Sequence, residues 1–328
     1  MRFHHPPCLL VLCAIAKPAI GFLERSGRMS VVCRPARAQD LERADELVVR
    51  SINDLTERHG FGPMAAARPP VFQSFCLKDG PDGLWVAEEA GQIIGFALSW
   101  VCGDLWFLAH LFVSPDHQGR GIGDQLLQRT LDHAKKAKAA NLALITFAFN
   151  TASQGLYIRN GLFPRTPVYF FTVSRDVLAA RLRGAPLRCE PLESTASHLQ
   201  ILARIDAGTL GLSREKHHRF LIGEGAMRGV AFYAGDDCMG YAYVSSDGHI
   251  GPLAVAPQAD LGAAFTTALN LAAQGGSAQV SAFLPGASEA ALRIAVEHGM
   301  RIGVPMMLMS AHEFGDWTRY LPRNPGLM

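Results

Sequence analysis

The sequence predicts an α/β chain whose mixed, mainly antiparallel twisted sheets are flanked by amphipathic helices, and three observations carry that prediction. Short apolar runs of strand length alternate with longer segments of helical period. The stretch Leu111–Leu131, LFVSPDHQGRGIGDQLLQRTL, passes from strand through a turn into a helix. A coarse set of landmarks recurs in the same order in the second half of the 328 residues. That length is about twice a usual domain, so two domains are expected.

Residues 1–28 contain Arg2, the apolar run Cys8–Ala16, and an Ala14-Ile15-Ala16 triplet that fits a secretory cleavage site. The run is too short to cross a bilayer as a helix. Met29 stands just before the strand-like Val31-Val32-Cys33-Arg34-Pro35. We read 1–28 as an upstream extension or signal-like segment and expect the fold to begin at residue 29.

From Gln39 to His59 the residues Leu41, Ala44, Leu47, Val48, Ile52 and Leu55 keep helical period. Phe61–Asp79 holds Gly62-Pro63 and Arg68-Pro69-Pro70, a turn-rich connection with one short helix over Val71–Leu77. Leu84–Glu88, Gln92–Val101 and Leu105–Val113 read as antiparallel strands joined at Ala90-Gly91 and Gly103-Asp104. A helix follows on Ile122, Leu126, Leu127, Thr130, Leu131 and Ala134, with Lys135, Lys136 and Lys138 complementing the dipole at its end. Strands are then expected over Leu142–Phe149 and Pro167–Val177.

Composition narrows the function. Hydrophobic content of 49% and charged content of 18% describe a globular chain with ample core. A net charge of +2, with no basic run or aromatic stacking motif, argues against a nucleic-acid partner. No membrane partner is expected. The seven cysteines, Cys8, Cys13, Cys33, Cys76, Cys102, Cys189 and Cys238, lack C-x-x-C spacing and clustered histidines. Reduced thiols are expected, with neither a metal site nor a disulfide framework.

The hexapeptide Gln118-Gly119-Arg120-Gly121-Ile122-Gly123 opens the central helix. Backbone N–H groups at a helix start lack partners, and glycine lets a polyanion approach them. The spacing is neither the G-x-G-x-x-G dinucleotide fingerprint nor a P-loop. It fits Gln/Arg-x-x-Gly-x-Gly/Ala after an apolar strand and Pro115, and it resembles the acetyl-CoA loop of the GNAT acetyltransferase family. A second block, Asn150 to Pro167, resembles the family segment with an Asn at a strand end, a Tyr on the next helix and a Gly-Phe-like close. Here Leu162 is one extra residue between Gly161 and Phe163.

The resemblance implies an N-acetyltransferase with acetyl-CoA as co-substrate and no metal, acting on a primary amine of a small molecule by direct transfer through a tetrahedral intermediate. It implies that the strand around Phe112 and Val113 separates from its neighbour, pairs with pantetheine and offers backbone N–H groups to the oxyanion. Leu111, Phe112, Val113, Gln118, Gly119, Arg120, Gly121, Ile122, Gly123, Asp124, Asn150, Ser153 and Tyr157 are the expected cofactor-binding residues. Tyr157 is the expected acid for the departing thiolate. Asn150 fits either the pantetheine or a helix N-cap. Strand alternation puts His110 and Phe112 on one face and Leu111 and Val113 on the other, so His110 is the expected base, with Glu88 and Glu89 as substitutes and a water relay as the alternative. Phe61, Met64, Val71, Phe72 and Phe75 fit either an apolar acceptor wall or core. A peptide or protein acceptor, or a non-catalytic acyl-CoA-binding module, are the alternative functions. Use of acetyl-CoA places the protein in the cytoplasm.

The stretch Arg181–Arg188, with Gly184 and Pro186, separates an N-terminal catalytic domain, 29–182, from a C-terminal one, 187–328. Gly95-Phe-Ala-Leu recurs as Gly240-Tyr-Ala-Tyr, Leu111-Phe-Val-Ser-Pro115 as Leu253-Ala-Val-Ala-Pro257, Ala148-Phe149 as Ala282-Phe283, and the Gly161-to-Pro167 step from Gly299 to Pro305. These make the second domain a GNAT-like copy. Aligned on the shared proline, Gly121 and Gly123 become Ala263 and Phe265 and Gln118 becomes Asp260; a turn one residue shorter brings in Gly262, Ala264 and Ala259. Tyr157 corresponds to Ala295. The second copy is therefore expected to be degenerate, packing on the first and shaping its acceptor cleft. A homodimer remains open.

Overall fold

The computed structural model describes residues 30–183, 187–223, 225 and 227–328. The extension 1–28 and the linker residues Gly184 and Pro186 lie outside the described residues. From Val31 to Met328 the chain forms one compact unit. Its first half runs β1 (Val32–Pro35), α1 (Leu41–Arg58), α2 (Val71–Asp79), β2 (Leu84–Glu89), β3 (Gln92–Cys102) and β4 (Leu105–Val113). Then come α3 (Ile122–Lys136), β5 (Asn141–Phe147), α4 (Thr151–Arg159), β6 (Phe163–Ser174) and α5 (Arg175–Arg181).

Beyond residue 187 the order begins again. The second half runs β7 (Arg188–Pro191), α6 (Ala196–Leu210), α7 (Glu215–Ile222), β8 (Arg228–Ala234), β9 (Asp237–Val244) and β10 (His249–Val255). It continues with α8 (Leu261–Ala273), β11 (Gln279–Pro285), α9 (Glu289–Glu297), β12 (Arg301–Ser310) and a two-residue β13 (Tyr320–Leu321). Gly95 lies opposite Val113 in the first half, and Gly240 lies opposite Val255 in the second, so those landmarks are structurally equivalent. Ala148-Phe149 and Ala282-Phe283 are not. With Leu111 matched to Leu253, the pairing of Phe107 with Ala143 corresponds to that of His249 with Ser281, which sets Ala282-Phe283 against Leu144-Ile145 instead.

The halves share one sheet, ordered β1-β2-β3-β4-β5-β12-β6-β11-β10-β9-β8-β7, with β13 on β10. Each half is completed by the other. Strand β12 enters between β5 and β6, while β6 lies between β12 and β11. Separating the halves would strip two long ladders of their partners, so they are held as one body.

Two boundaries differ from expectation. β5 ends at Phe147, because Asn150 caps α4 by accepting from the Ser153 N–H at 3.2 Å. The closing strand begins at Phe163 and stops at Ser174, whose hydroxyl accepts from the Val177 N–H at 3.4 Å and starts α5. In both places a side-chain cap outcompetes the apolar run that suggested a longer strand. Among the described residues no helix is long and apolar enough to cross a membrane. Cys33, Cys76, Cys102, Cys189 and Cys238 are free thiols, and burial pushes Cys102 up to about 11.

Candidate active site

The site is a gap in the sheet. β4 and β5 run parallel from Leu105 opposite Asn141 to Leu108 opposite Leu144, and there the pairing stops. A bulge at Ala109 turns β4 at that point: Ser99 lies opposite Leu108, but Leu98 lies opposite His110. Past it, β4 keeps only β3. Ser114 donates to the Ile94 carbonyl at 2.9 Å, so ladder alternation sends the N–H groups of Phe112 and His110 to β3 and those of Val113 and Leu111 into the gap. This corrects the expectation for Phe112, whose N–H is not aimed at the cleft. The Val113 carbonyl accepts from Gln118 Nε2 at 3.2 Å and from the Ser51 hydroxyl at 3.4 Å.

Above the gap stands the N-terminus of α3. Gly119 and Gly121 have φ of +76° and +77°, the left-handed region that favours glycine, and a Cβ at either would meet no atom within 4 Å. Among the described residues no side chain caps this helix. Its first N–H groups therefore face open space, which suits an anion such as a pyrophosphate.

The resulting cleft holds about 780 Å³. Its lining includes Leu111, Phe112, Val113, Gln118, Gly119, Gly121, Ile122, Gly123, Asp124, Asn150, Ser153, Tyr157 and His110. Of the expected residues only Arg120 is not among the lining: its guanidinium pairs with Glu89 at 2.6 Å. The same contact occupies Glu89, and Glu88 is paired with Arg34 at 2.7 Å, so neither carboxylate lines the cleft. Asn150 serves as the helix cap described above while also facing the cleft. Phe72 and Phe75 pack on Phe220 of the second half, at 5.6 and 4.7 Å between ring centroids, and are core. Phe61 instead stacks on Phe149 at 4.8 Å, beside the cleft.

Tyr157 is buried among Leu127, Leu131, Leu144 and Leu162. Burial drives its hydroxyl well above the usual phenol range, while a hydrogen bond with Ser153 pulls the other way. It stays protonated at any ordinary pH and can give that proton to a strong base. His110 lies edge-on to Phe96 and Phe112, each 5.8 Å away, and its sealed Nδ1 has no partner among the described residues. Desolvation lowers its pKa to about 4, so the imidazole is neutral but weakly basic.

Sequence reasoning missed one wall of the site. Met306 of β12 and the segment Asn324-Pro325-Gly326 line the cleft from the second half. No local pattern marks them, because their placement follows from strand exchange.

Residues 49–162, which contain the gap, its glycine turn and the second block as far as Leu162, match the Acetyltransferase (GNAT) family. The chain carries a GNAT acetyltransferase domain. The family uses acetyl-CoA as co-substrate, which fits the open helix N-terminus and the unpaired strand edge. The chain is 31% identical to rat N-acetyltransferase family 8 member 3 over 111 residues, 32% of this chain and 46% of that protein. It thus spans about half the length of that relative. It is 29% identical to the ribosomal protein bS18-alanine N-acetyltransferase of Escherichia coli over 123 residues, 34% of this chain and 83% of that one. Two solved structures share the GNAT fold over almost the whole chain. A GCN5-related N-acetyltransferase from Sphaerobacter thermophilus has a TM-score of 0.63 at 15% identity, covering 88% of this chain and 98% of that one. A tandem GNAT protein from the clavulanic acid biosynthesis pathway has a TM-score of 0.57 at 15% identity, covering 86% and 98%.

The GNAT copy in the second half is closed. The cap of α8 comes only three residues after Pro257, against six from Pro115 to the cap of α3, so the turn is shorter than either expected alignment allows. Asp260 is the cap, and its carboxylate accepts from the Gly262 N–H at 2.7 Å. A protein carboxylate thus sits where the first half offers room for a phosphate. Ala295 occupies the place of Tyr157, seven residues into α9 from its cap as Tyr157 is into α4.

Proposed function

We propose that the first half transfers acetyl from acetyl-CoA to a primary amine of a small molecule. The observation that carries this reading is the gap between β4 and β5 under an uncapped, glycine-rich helix N-terminus. Acetyl-CoA would supply the activated thioester. In this reading Gly119, Gly121 and the α3 N–H groups hold its pyrophosphate, and Leu111 and Val113 pair with its pantetheine arm. The Val113 N–H faces the carbonyl oxygen as negative charge builds there. Tyr157 gives its proton to the sulfur as the carbon–sulfur bond breaks, and His110 or a water takes the proton released as the carbon–nitrogen bond forms. Because His110 is weakly basic, it cannot strip an ammonium ion, so the amine must arrive neutral.

A peptide acceptor is the second reading, favoured by the Escherichia coli relative, whose name gives a ribosomal-protein alanine as its substrate. The lining at Asn324–Gly326, where a Cβ on Gly326 would lie 3.5 Å from His110 Nε2, supports the smaller substrate. We further propose that residues 29–182 and 187–328 are two domains, an N-terminal catalytic one and a C-terminal degenerate copy, interlocked within one compact unit, and that the protein acts in the cytoplasm, where acetyl-CoA is available.

Calorimetric titration with acetyl-CoA tests the assignment. The Cβ added at Gly123 would meet Val113 at 3.8 Å, an ordinary contact, so Gly123→Glu sets a carboxylate at the helix N-terminus without backbone strain. One-to-one binding that this variant loses is the expected result. Binding that survives the substitution, or its absence in the parent chain, overturns the reading.

A further inference from the structure

The second half keeps the same sheet gap as the first, and the protein's own chain fills it. β10 is the counterpart of β4 and leaves β11 after Ile250 opposite Ala282. Beyond that point β13 pairs with it, Leu321 opposite Leu253 and Tyr320 opposite Ala254. The Val255 N–H donates to the Arg319 carbonyl at 3.1 Å. Val255 corresponds to Val113, whose N–H faces open cleft, so a backbone segment lies where the first half leaves room for an extended arm. The fit is close. Gly251, at φ +136°, would bring a Cβ within 2.6 Å of the Pro322 carbonyl oxygen.

The segment then crosses to the first half. His249 Nε2 donates to the Arg323 carbonyl at 2.6 Å while its Nδ1 accepts from the Ser281 hydroxyl at 2.8 Å. Asn324 Oδ1 accepts from the N–H groups of Gly326 and Leu327, each at 2.8 Å, which folds the chain into a tight turn. Trp100 Nε1 holds the Gly326 carbonyl at 2.9 Å, and Arg214 donates to the Met328 carbonyl. A Cβ on Gly326 would lie 3.5 Å from His110 Nε2.

We propose that residues 319–326 are a strap seated in the second half's closed acyl-CoA slot, and that Asn324, Pro325 and Gly326 thereby wall the first half's acceptor pocket and set its specificity. The degenerate copy is thus put to use as the strap's anchor. The lining that holds Pro325 also includes Ile52, Leu55, Phe147, Phe149 and Met306, with Arg58 and His59 as basic groups and Asp124, at the start of α3, as its one carboxylate. Such a wall selects an amine carried on an apolar, flat body and offers little to a second cation. The specificity part rests on the acetyltransferase reading above; the seat does not.

Hydrogen exchange of the full chain, read by mass spectrometry, tests the seat without any turnover. Amides of 319–323 should exchange as slowly as those of β10, and Trp100→Phe should free 324–328 while leaving β10 protected. Exchange of 319–323 at the rate of the exposed connection 61–69 in the parent chain overturns the strap. The wall is tested with phenethylamine and putrescine as probes. Phenethylamine is expected to be the better acceptor by at least tenfold in kcat/KM, and Gly326→Leu should raise its KM at least tenfold with the acetyl-CoA Kd held within twofold. An unchanged KM, an equal loss of acetyl-CoA affinity, or a preference for putrescine overturns the specificity assignment. A parent chain that binds no acetyl-CoA overturns the acetyltransferase reading and the specificity drawn from it, while the exchange result still decides the seat.

Discussion

Replacing Arg214 by Met should cost more stability than any surface change. Arg214 and Asp206 are both fully buried, joined Nε to Oδ2 at 3.0 Å and Nη2 to Oδ1 at 3.2 Å. The guanidinium also donates to the Tyr241 hydroxyl at 2.8 Å and lies over the Tyr320 ring at 5.1 Å. Burial opposes the charge on Asp206, but Arg214 and His218 overcome it and hold the carboxyl below its ordinary range. With Met in place, nothing of equal strength opposes the desolvation of Asp206, and the carboxylate keeps only His218 Nε2 at 2.9 Å and the Tyr241 hydroxyl. Breaking one partner of such a pair costs roughly 3–5 kcal/mol. At the lower end of the usual conversion, as suits a long chain, that is a fall of roughly 6–10 °C in Tm. Thermal melts by circular dichroism at pH 7 read it. The double variant Arg214→Met with Asp206→Leu, which removes both charges, should recover part of the loss. A single variant melting within about 2 °C of the parent, or a double variant whose loss is the sum of two independent single losses, would refute the argument that an uncompensated buried charge carries the cost.

Two further outcomes are expected. Tyr157→Phe should lower kcat roughly 10²–10⁴-fold, the usual worth of a general acid, with acetyl-CoA affinity within twofold. Thiol release in single-turnover mixing measures it, and a loss appearing in affinity instead would make Tyr157 a packing residue. His110 titrates near 4 in the fold because burial disfavours its cation, against about 6.5 in an unfolded chain. Between those values the unfolded state holds a proton that the folded state lacks, so this group's contribution declines as pH falls. Allowing for the ring's partial exposure, the loss from pH 7.5 to 5 is about 1–2 kcal/mol. His110→Phe should shrink the acid-induced drop in denaturant midpoint; an unchanged drop would show that the imidazole is already charged in the fold.

What could be read from residues alone were the features set by local chemistry. The helical period of Leu41 to Leu55, the turns at Ala90-Gly91 and Gly103-Asp104, and the glycine turn at 118–123 each act over a few residues, so their pattern sufficed. The repeat was legible because Gly95 and Gly240 sit against valines that face equivalent gaps. Tertiary structure decided the rest. Which N–H groups of β4 enter the gap depends on the bulge at Ala109 and on a partner strand, neither of which leaves a mark in the alternation of side chains. That Arg120 turns to Glu89, 31 residues away, is a choice between competing anions that only proximity settles. The exchange of β6 and β12, and the strap that closes the second gap, arise because backbone N–H and C=O groups pair with whatever edge is nearest and carry no sequence label.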